Sequence, residues 1–267
     1  MDLKLEGKTE LITGSSAGIG ERIAILLARE RVRVIVHGRD RQRTERVAQS
    51  IREQGGNASI VTGDLSSDAG VDGIVHQMES LAVSADILIN NAAIYENRTW
   101  DETTPDNWQT MYNINLCSAI RMIRCALPGM KSRNWGRIIQ ISTGEAMAPT
   151  PHMMEYAAAK AALSNVTVSL AQLVAYTGIT VNTVSPGIIV TAGLQKFFQK
   201  TAAERGWGSE WKEIESHILR ETRPNSIGRL GLPDDVANVV AFLASSLAAF
   251  ISGANIRVDG GASRFLN

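Results

Sequence analysis

The 267-residue sequence predicts a single doubly wound α/β domain, with about seven mostly parallel strands and helices on both faces of the sheet. Short apolar segments alternate with amphipathic helical segments along the chain, which is the pattern of parallel strands joined by helical crossovers. Some of these segments, such as 32–36, are almost continuously apolar, as expected of strands that are covered on both faces. No repeat, linker or low-complexity tract interrupts the pattern, so residues 1–267 are interpreted as one domain.

Composition and charge argue against several classes of partner. The chain has 44% apolar and 20% charged residues, as a globular protein with a sizeable core does, and its 27 basic residues balance its 27 acidic ones. We therefore expect no nucleic-acid partner and no attraction to a membrane surface. No apolar stretch is long enough to span a bilayer and the start lacks a signal-peptide core, which predicts a cytoplasmic protein. Two cysteines and four scattered histidines lack ligand spacing, so no metal is expected.

The first predicted strand runs into a glycine-rich turn, residues 14–20, and an amphipathic helix follows. A helix that begins after such a turn offers free N–H groups and a positive dipole end to a phosphate. The spacing Gly-x-x-x-Gly-x-Gly differs from the Gly-x-Gly-x-x-Gly fingerprint, and no lysine follows to form a nucleoside-triphosphate loop. From the glycines alone, a phosphate-binding loop and a plain structural turn are equally compatible with the segment.

The end of the second strand bears on the choice of dinucleotide. An acidic residue about twenty positions after the glycines binds the adenine-ribose 2′-hydroxyl in NAD sites. Gly38 occupies this place and Arg39 follows it, and a guanidinium suits the 2′-phosphate of NADP. Asp40 is the competing residue if the strand ends one position later, although capping of the next helix is its other role. The sequence therefore favours NADP(H), with NAD(H) as the alternative.

Two further strand ends carry polar and small residues. Asp64 and Leu65 follow the third strand, and Asn90-Asn91-Ala92-Ala93 follow the fourth. Open α/β sheets bind ligands at the carboxyl ends of their strands. The amides and small side chains of residues 90–93 would let a flat ring approach the backbone, and a plain turn is the other interpretation.

A long helix is predicted from about Pro105 to near Pro128-Gly129. It carries Asn113 and Asn115, which are unusual in a helix interior because asparagine favours caps and turns. The fifth strand, 136–141, then opens into Ser142 and Thr143.

The next helix, predicted over 155–175, places Tyr156 and Lys160 one turn apart on the same face. A nearby ammonium favours the phenolate and lowers the pKa of a tyrosine, which makes it a better proton donor for carbonyl reduction. Taken alone, the pair also fits a half-buried tyrosine beside a lysine whose stem lies along the surface.

A sixth strand, 179–184, ends in Ser185-Pro186-Gly187. The segment 191–228 mixes aromatic and charged residues and is predicted to form two short helices inserted as a substrate cover. A helix from Pro233 to Ala244 and a strand at 255–258 complete the pattern.

In this order, the motifs resemble the short-chain dehydrogenase/reductase family in its single-domain form, over nearly the whole chain. The motifs that carry the resemblance are Thr13-Gly14-x-x-x-Gly18-x-Gly20, Asp64, Asn90-Asn91-Ala92-Ala93, Asn115, the Ser142-Thr143 strand end, Tyr156-x-x-x-Lys160, Ser185-Pro186-Gly187 with Thr191, and Asp259-Gly260-Gly261. The resemblance implies a Rossmann-like fold, NAD(P)-dependent reduction of a small ketone or oxidation of a secondary alcohol, and assembly as a homodimer or homotetramer.

The resemblance also implies residue roles. Tyr156 would be the general acid or base, Lys160 would hold the nicotinamide ribose and lower the Tyr156 pKa, and Asn115 would connect Lys160 to a proton-carrying water. The residues expected to bind the cofactor are Gly14, Ser15, Ser16, Gly18, Ile19, Gly20, Arg39, Asp64, Leu65, Asn91, Ala92, Tyr156, Lys160, Pro186, Gly187, Ile189 and Thr191.

Two positions depart from the family pattern. The family usually has serine thirteen residues before the tyrosine, where this chain has Thr143, with Ser142 one residue earlier. Thr143 keeps a hydroxyl that would donate to a substrate oxygen, and Ser142 takes that role if the loop differs by one residue. Ala93 stands where the family commonly has glycine, and little consequence is expected from this change.

Two classes of function follow. The first is an NADP(H)-dependent oxidoreductase, acting either on a small hydrophobic or cyclic ketone or on a 3-oxoacyl group carried by an acidic acyl carrier protein. Lys196, Lys200 and Arg205 would form the basic patch that the carrier protein requires. The second is a nucleotide-binding sensor or scaffold without turnover, which Thr143 favours and the presence of Tyr156, Lys160 and Asn115 opposes.

Overall fold

The computed structural model describes residues 2–221 and 224–263, and these residues form one sheet of seven strands. The strands are β1 (Thr9–Ile12), β2 (Arg33–Gly38), β3 (Asn57–Thr62), β4 (Ile87–Asn90), β5 (Gly136–Ile141), β6 (Ile179–Pro186) and β7 (Asn255–Val258). Their order is β3-β2-β1-β4-β5-β6-β7, and each neighbouring pair is parallel. The predicted α/β fold is confirmed.

Helices cover both faces of this sheet. They are α1 (Gly18–Arg29), α2 (Arg41–Glu53), α3 (Asp68–Ser80), α4 (Pro105–Tyr112), α5 (Ser118–Ser132), α6 (Met154–Leu173), α7 (Ala192–Arg205), α8 (Trp211–Glu221) and α9 (Pro233–Ala244). Side chains alternate between the two faces along a strand, so Ile12 packs with α1, α2 and α9 whereas Leu11 packs with α3, α5 and α6. No helix among the described residues has the length and apolar character needed to cross a bilayer.

Strand β1 lies at the point where the connections change direction. The chain moves outward from β1 to β2 and β3, and then returns to place β4 on the other side of β1. In open α/β sheets, the crevice at such a switch point, outside the carboxyl ends of the strands, is where ligands bind. Most of the predicted site residues follow the carboxyl ends of β1 to β6, so the fold brings them to this edge, whereas Asn115, Tyr156 and Lys160 lie on helical segments.

The long helix predicted between Pro105 and residues 128–129 is interrupted and extends further than expected. Residues 113–117 form a turn of π-helix between α4 and α5, and α5 continues to Ser132 with Pro128 inside it. The expected stop near Pro128-Gly129 was therefore wrong. Burial of Met122, Ile123 and Met130 against the sheet outweighs the single hydrogen bond that the proline removes.

The segment 191–228 contains α7 and α8, which share a small apolar core separate from the two sheet cores. The buried members of this core are Phe198, Ala202, Trp207, Ile214, Ile218 and Leu230. Residues 222–223 of the segment lie outside the described residues. Its role as a substrate cover stays a prediction.

The apolar core on the α1 side of the sheet contains one carboxyl group. Glu10 is fully buried on β1, and within the described part of the chain neither carboxylate oxygen has a hydrogen-bond partner. Burial raises the pKa of Glu10 well above its ordinary value. A carboxyl group that is buried without a hydrogen-bond partner costs stability.

Candidate active site

The glycine turn is shaped by close contact with the segment that follows β4. Gly14 has a φ of +66°, and a Cβ at Gly20 would lie 2.5 Å from the side-chain nitrogen of Asn91. That nitrogen donates hydrogen bonds to the carbonyl oxygens of Thr13 at 3.0 Å and Gly14 at 3.1 Å. Only glycine tolerates this backbone conformation and this approach at low cost. Asn91 therefore holds the turn in place at the N-terminus of α1.

The two serines of the turn face different surroundings. The Ser15 hydroxyl is buried, donates to the Ile12 carbonyl at 2.8 Å and accepts the His37 N–H at 2.9 Å. The backbone N–H of Ser15 donates to the His37 carbonyl, so Ser15 joins the turn to β2, and its contact with a cofactor stays a prediction. Ser16 instead lies at the end of β2, where a Cβ on Gly38 would be 2.9 Å from its hydroxyl oxygen.

His37 ties together three strand ends, a role that the sequence analysis missed. Its Nδ1 accepts the Gly14 N–H at 3.1 Å, and its Nε2 lies 3.2 Å from the Gly63 carbonyl oxygen. A carbonyl can only accept, so Nε2 carries the proton and donates it. Burial lowers the pKa of His37 to about 4, and the ring is neutral at physiological pH. A lone histidine carries no sequence signal for this role.

The charged residues after β2 and β3 include those that were predicted to choose between NADP and NAD. Arg39 is exposed, and among the described residues its guanidinium has no hydrogen-bond or ion-pair partner. Asp40 caps α2 by accepting the Arg43 N–H at 3.0 Å, as predicted. Asp64 is exposed, and its pKa is lowered mainly by the Ser66 N–H bond and further by Arg39. Arg39 is therefore available to an anion, whereas Asp40 is occupied by its capping bond.

The end of β5 distinguishes the two candidate hydroxyls. The Ser142 hydroxyl is buried and lies 3.2 Å from the Lys160 carbonyl and 3.1 Å from the Ser164 hydroxyl. The Thr143 hydroxyl lies close enough to the Tyr156 hydroxyl to act on the pKa of that tyrosine, which it lowers. Of the two residues, Thr143 is the one placed beside the tyrosine.

Burial controls the titration of the tyrosine and lysine pair on α6. It raises the pKa of Tyr156 to about 12, although the Thr143 hydroxyl acts in the opposite direction. The expected lowering of the Tyr156 pKa by Lys160 is therefore wrong for the protein chain alone. Burial also lowers the pKa of Lys160 to about 7, and its Nζ donates to the Ile141 carbonyl at 2.7 Å.

Asn115 lies in the π-helical turn and is buried. Its Oδ1 accepts the Ile94 N–H at 3.1 Å, and its Nδ2 donates to the carbonyls of Ile94 at 3.0 Å and Met111 at 3.1 Å. The wider turn lets the amide face the chain after β4, and such turns are frequent at functional sites. The predicted connection of Asn115 to Lys160 through a water stays a prediction.

The segment after β6 closes the opposite side of the site. Pro186 is buried, and a Cβ on Gly187 would lie 3.0 Å from the Asp259 Cα. Thr191 caps α7 through the Leu194 N–H, and its Cγ2 is 3.3 Å from where a Gly18 Cβ would lie. Ile189 is buried and pairs with Gly231. This segment and the glycine turn therefore meet at the site, with Ile19 and Ala92 half-buried at its margins.

The sequence of this chain is similar to those of known proteins. Residues 8–202 match the family model described as short chain dehydrogenase. An uncharacterized oxidoreductase of Bacillus subtilis is 34% identical over 265 residues, which cover 99% of both chains.

Solved structures resemble the whole chain. The L-sorbose reductase of Gluconobacter frateurii, in complex with NADPH and L-sorbose, has a TM-score of 0.93 and 33% identity, with complete coverage of both chains. An NADP-bound 3-oxoacyl (acyl-carrier-protein) reductase of Agrobacterium tumefaciens has a TM-score of 0.87 and 33% identity, covering 97% of this chain and 96% of that one.

Proposed function

The chain belongs to the short-chain dehydrogenase/reductase family and is an NAD(P)-dependent oxidoreductase that acts on CH–OH groups, and from this premise we propose that it reduces a ketone with NADPH, using Tyr156 as the general acid. The observation that carries the proposal is the placement of the Thr143 hydroxyl beside the Tyr156 hydroxyl, one helical turn from buried Lys160. The reverse reaction, oxidation of a secondary alcohol, would use Tyr156 as the base.

The residues at the strand ends fit a phosphorylated dinucleotide. The turn held by Asn91 presents the N-terminus of α1 to a pyrophosphate, and Gly18 and Ile19 begin that helix. Arg39 is exposed and unpaired among the described residues, which suits the 2′-phosphate of NADP(H). One charge-assisted bond contributes about 1.5–3 kcal/mol, which corresponds to a preference over NAD(H) of about ten- to a hundredfold.

The proton step belongs to the side chains of this protein. A bound nicotinamide supplies the hydride during reduction. Tyr156, with a pKa of about 12, holds its proton at neutral pH and donates it to the carbonyl oxygen as negative charge develops there. Thr143 orients the same oxygen through its hydroxyl, and Lys160 holds the ribose of the nicotinamide nucleotide. Asn115 keeps the chain after β4 in place and connects Lys160 to water that replaces the proton.

The test compares the wild type with Tyr156→Phe, which removes only the phenolic hydroxyl. Purified protein is mixed with NADPH and a panel of ketoses, cyclic ketones and 3-oxoacyl thioesters, and loss of NADPH absorbance is followed. We expect turnover of at least one ketone by the wild type and none by Tyr156→Phe, with NADPH affinity retained. Near wild-type rates in the variant would remove Tyr156 from the role of acid. NADPH binding without turnover on any substrate would favour a sensor or scaffold.

The same panel tests the acyl-carrier-protein alternative, which the Agrobacterium structure supports. The predicted basic patch is partly neutralised, because Lys200 lies 3.9 Å from Glu204 and Arg205 lies 3.7 Å from Glu221. We therefore expect free ketones to be better substrates than acyl thioesters. Higher kcat/KM for the thioester would reverse that order.

Assembly as a homodimer or homotetramer stays a prediction, and light scattering of the purified protein tests it.

A further inference from the structure

The segment between β4 and α4, residues 91–104, runs beside the candidate active site. Ile94 is held at both its N–H and its carbonyl by the amide of Asn115. The Tyr95 ring then lies with its centre 6.2 Å from the centre of the Tyr156 ring. A carbonyl that accepts a proton from Tyr156 must lie close to that ring, so Tyr95 is within reach of the substrate.

Beyond Tyr95, the segment is joined to the start of α6 by a buried carboxylate. Glu155 immediately precedes Tyr156 and is fully buried. The Arg98 guanidinium lies 3.6 Å from the Glu155 carboxylate, and the Thr103 hydroxyl donates to the same oxygen. The backbone N–H of Arg98 donates to the His152 carbonyl at 3.0 Å, just before α6 begins. Arg98 and Thr103 therefore converge on one carboxylate of the catalytic helix.

Arg98 has two carboxylate partners that differ in their exposure to solvent. Its other partner, Glu96, lies on the same segment and is more than half exposed, whereas Glu155 is buried on a different element. A pair with an exposed carboxylate contributes little, because solvent screens it. Removing one partner of a buried pair leaves an uncompensated charge and is costly. Of the two ion pairs of Arg98, the one with Glu155 is therefore the one that restrains the segment relative to α6.

We propose that Arg98 and Glu155 form a latch that holds the segment 91–104 across the active site, so that Tyr95 forms one wall of the substrate pocket and determines specificity. Arg98 and Glu155 are positioning residues, since they act on the substrate through Tyr95. The inference rests on the proposed function, because it assigns the wall of the pocket in which Tyr156 acts. It assigns no role to the cofactor end of the site, where Asn91, at the start of the segment, holds the glycine turn.

The test separates the two carboxylates that share Arg98. Glu155→Gln keeps an oxygen that accepts from Thr103 but removes the charge, and Glu96→Gln is the matched control at the exposed partner. For the best ketone of the panel, we expect KM to rise about tenfold in Glu155→Gln, since small misplacements of substrate-positioning groups have effects of this order or larger. We expect NADPH affinity to stay within about twofold and Glu96→Gln to match the wild type. Equal kinetics in both variants, or a parallel loss of NADPH affinity, would overturn the latch.

Two further variants keep the proposal falsifiable if Glu155→Gln does not fold. Arg98→Lys retains the charge, but a single ammonium cannot reproduce the planar fork of the guanidinium, so KM should rise while the melting temperature changes little. Tyr95→Ala leaves the latch intact and should change the ratio of kcat/KM between small and bulky ketones. An unchanged KM in Arg98→Lys, or an unchanged ratio in Tyr95→Ala, would refute the inference. Absence of turnover in the wild type would instead refute the proposed function.

Discussion

Exchange of the two hydroxyls at the end of β5 tests which one takes part in the reaction. Ser142→Ala removes a hydroxyl that is bonded to the Lys160 carbonyl and to Ser164. Thr143→Ala removes the hydroxyl that lies beside Tyr156 and that accepts the Glu145 N–H at 3.2 Å. The two substitutions are similar in size and adjacent in sequence, so each serves as the control for the other.

The two alanine variants should differ in reaction rate but lose a similar amount of stability. Each variant loses hydrogen bonds with a net value of about 1 kcal/mol, so both melting temperatures should fall by about 2–4 °C. Only Thr143→Ala removes a donor to the developing oxyanion, and such a donor contributes about a hundred- to a thousandfold in kcat. We therefore expect Thr143→Ala to lose kcat on this scale while Ser142→Ala stays within a few-fold of the wild type.

The assay is ketone-dependent oxidation of NADPH at saturating cofactor, with thermal unfolding of the same samples. Thr143→Ser retains the hydroxyl and should recover most of the rate that Thr143→Ala loses. If Ser142→Ala is the slower variant, or if Thr143→Ser does not recover activity, the assignment of Thr143 is wrong. Because stability falls similarly in both alanine variants, unfolding cannot account for a difference in rate.

Three further predictions concern the cofactor and the core. Arg39→Ala should weaken NADPH binding about ten- to a hundredfold and leave NADH binding nearly unchanged in fluorescence titrations; a parallel loss of both would show that Arg39 supports the fold. Glu10→Leu should raise the free energy of unfolding by about 1–3 kcal/mol. The raised Glu10 pKa favours the folded wild type at low pH and loses that effect as pH rises. The gain in the free energy of unfolding of Glu10→Leu over the wild type, measured by denaturant unfolding, should therefore be larger at pH 8 than at pH 5. An equal gain at the two pH values would contradict the raised pKa of Glu10. His37 has a folded pKa of about 4 against an ordinary 6.5, so its contribution to stability should decline as pH falls through that window. Between pH 7 and pH 5, the free energy of unfolding of His37→Asn should fall by up to about 2 kcal/mol less than that of the wild type. An identical pH dependence of the two proteins would show that His37 is not held neutral.

Several features of the fold follow from local sequence alone. Strand and helix alternation arises from hydrophobic periodicity, and the parallel sheet follows because each strand must cross back over a helix. The capping of α2 by Asp40 was predictable, since an aspartate before a helix satisfies a free N–H with its own side chain. Positions of the candidate site residues at strand ends follow from the same order. The stop predicted at Pro128 failed because packing against the sheet outweighed a local preference.

The site chemistry depended more on tertiary contacts. Sequence spacing placed Tyr156 and Lys160 on one face of a helix, but it could not measure how deeply each would be buried. Burial reverses the expected direction of the Tyr156 pKa, because loss of hydration disfavours the phenolate more than the neighbouring groups favour it. The choice between Thr143 and Ser142 likewise depends on how α6 packs over the end of β5.

Sequence by itself therefore determined the family and the alternation of strands with helices, and it predicted Tyr156 and Lys160 as the candidate pair, because these depend on periodicity and on motifs short enough to be read along the chain. Only the tertiary structure decided that His37 joins three strand ends and that Arg98 meets Glu155 beside Tyr156. These contacts join residues that are far apart in the chain, and a buried polar group finds its partner only when the surrounding elements have packed.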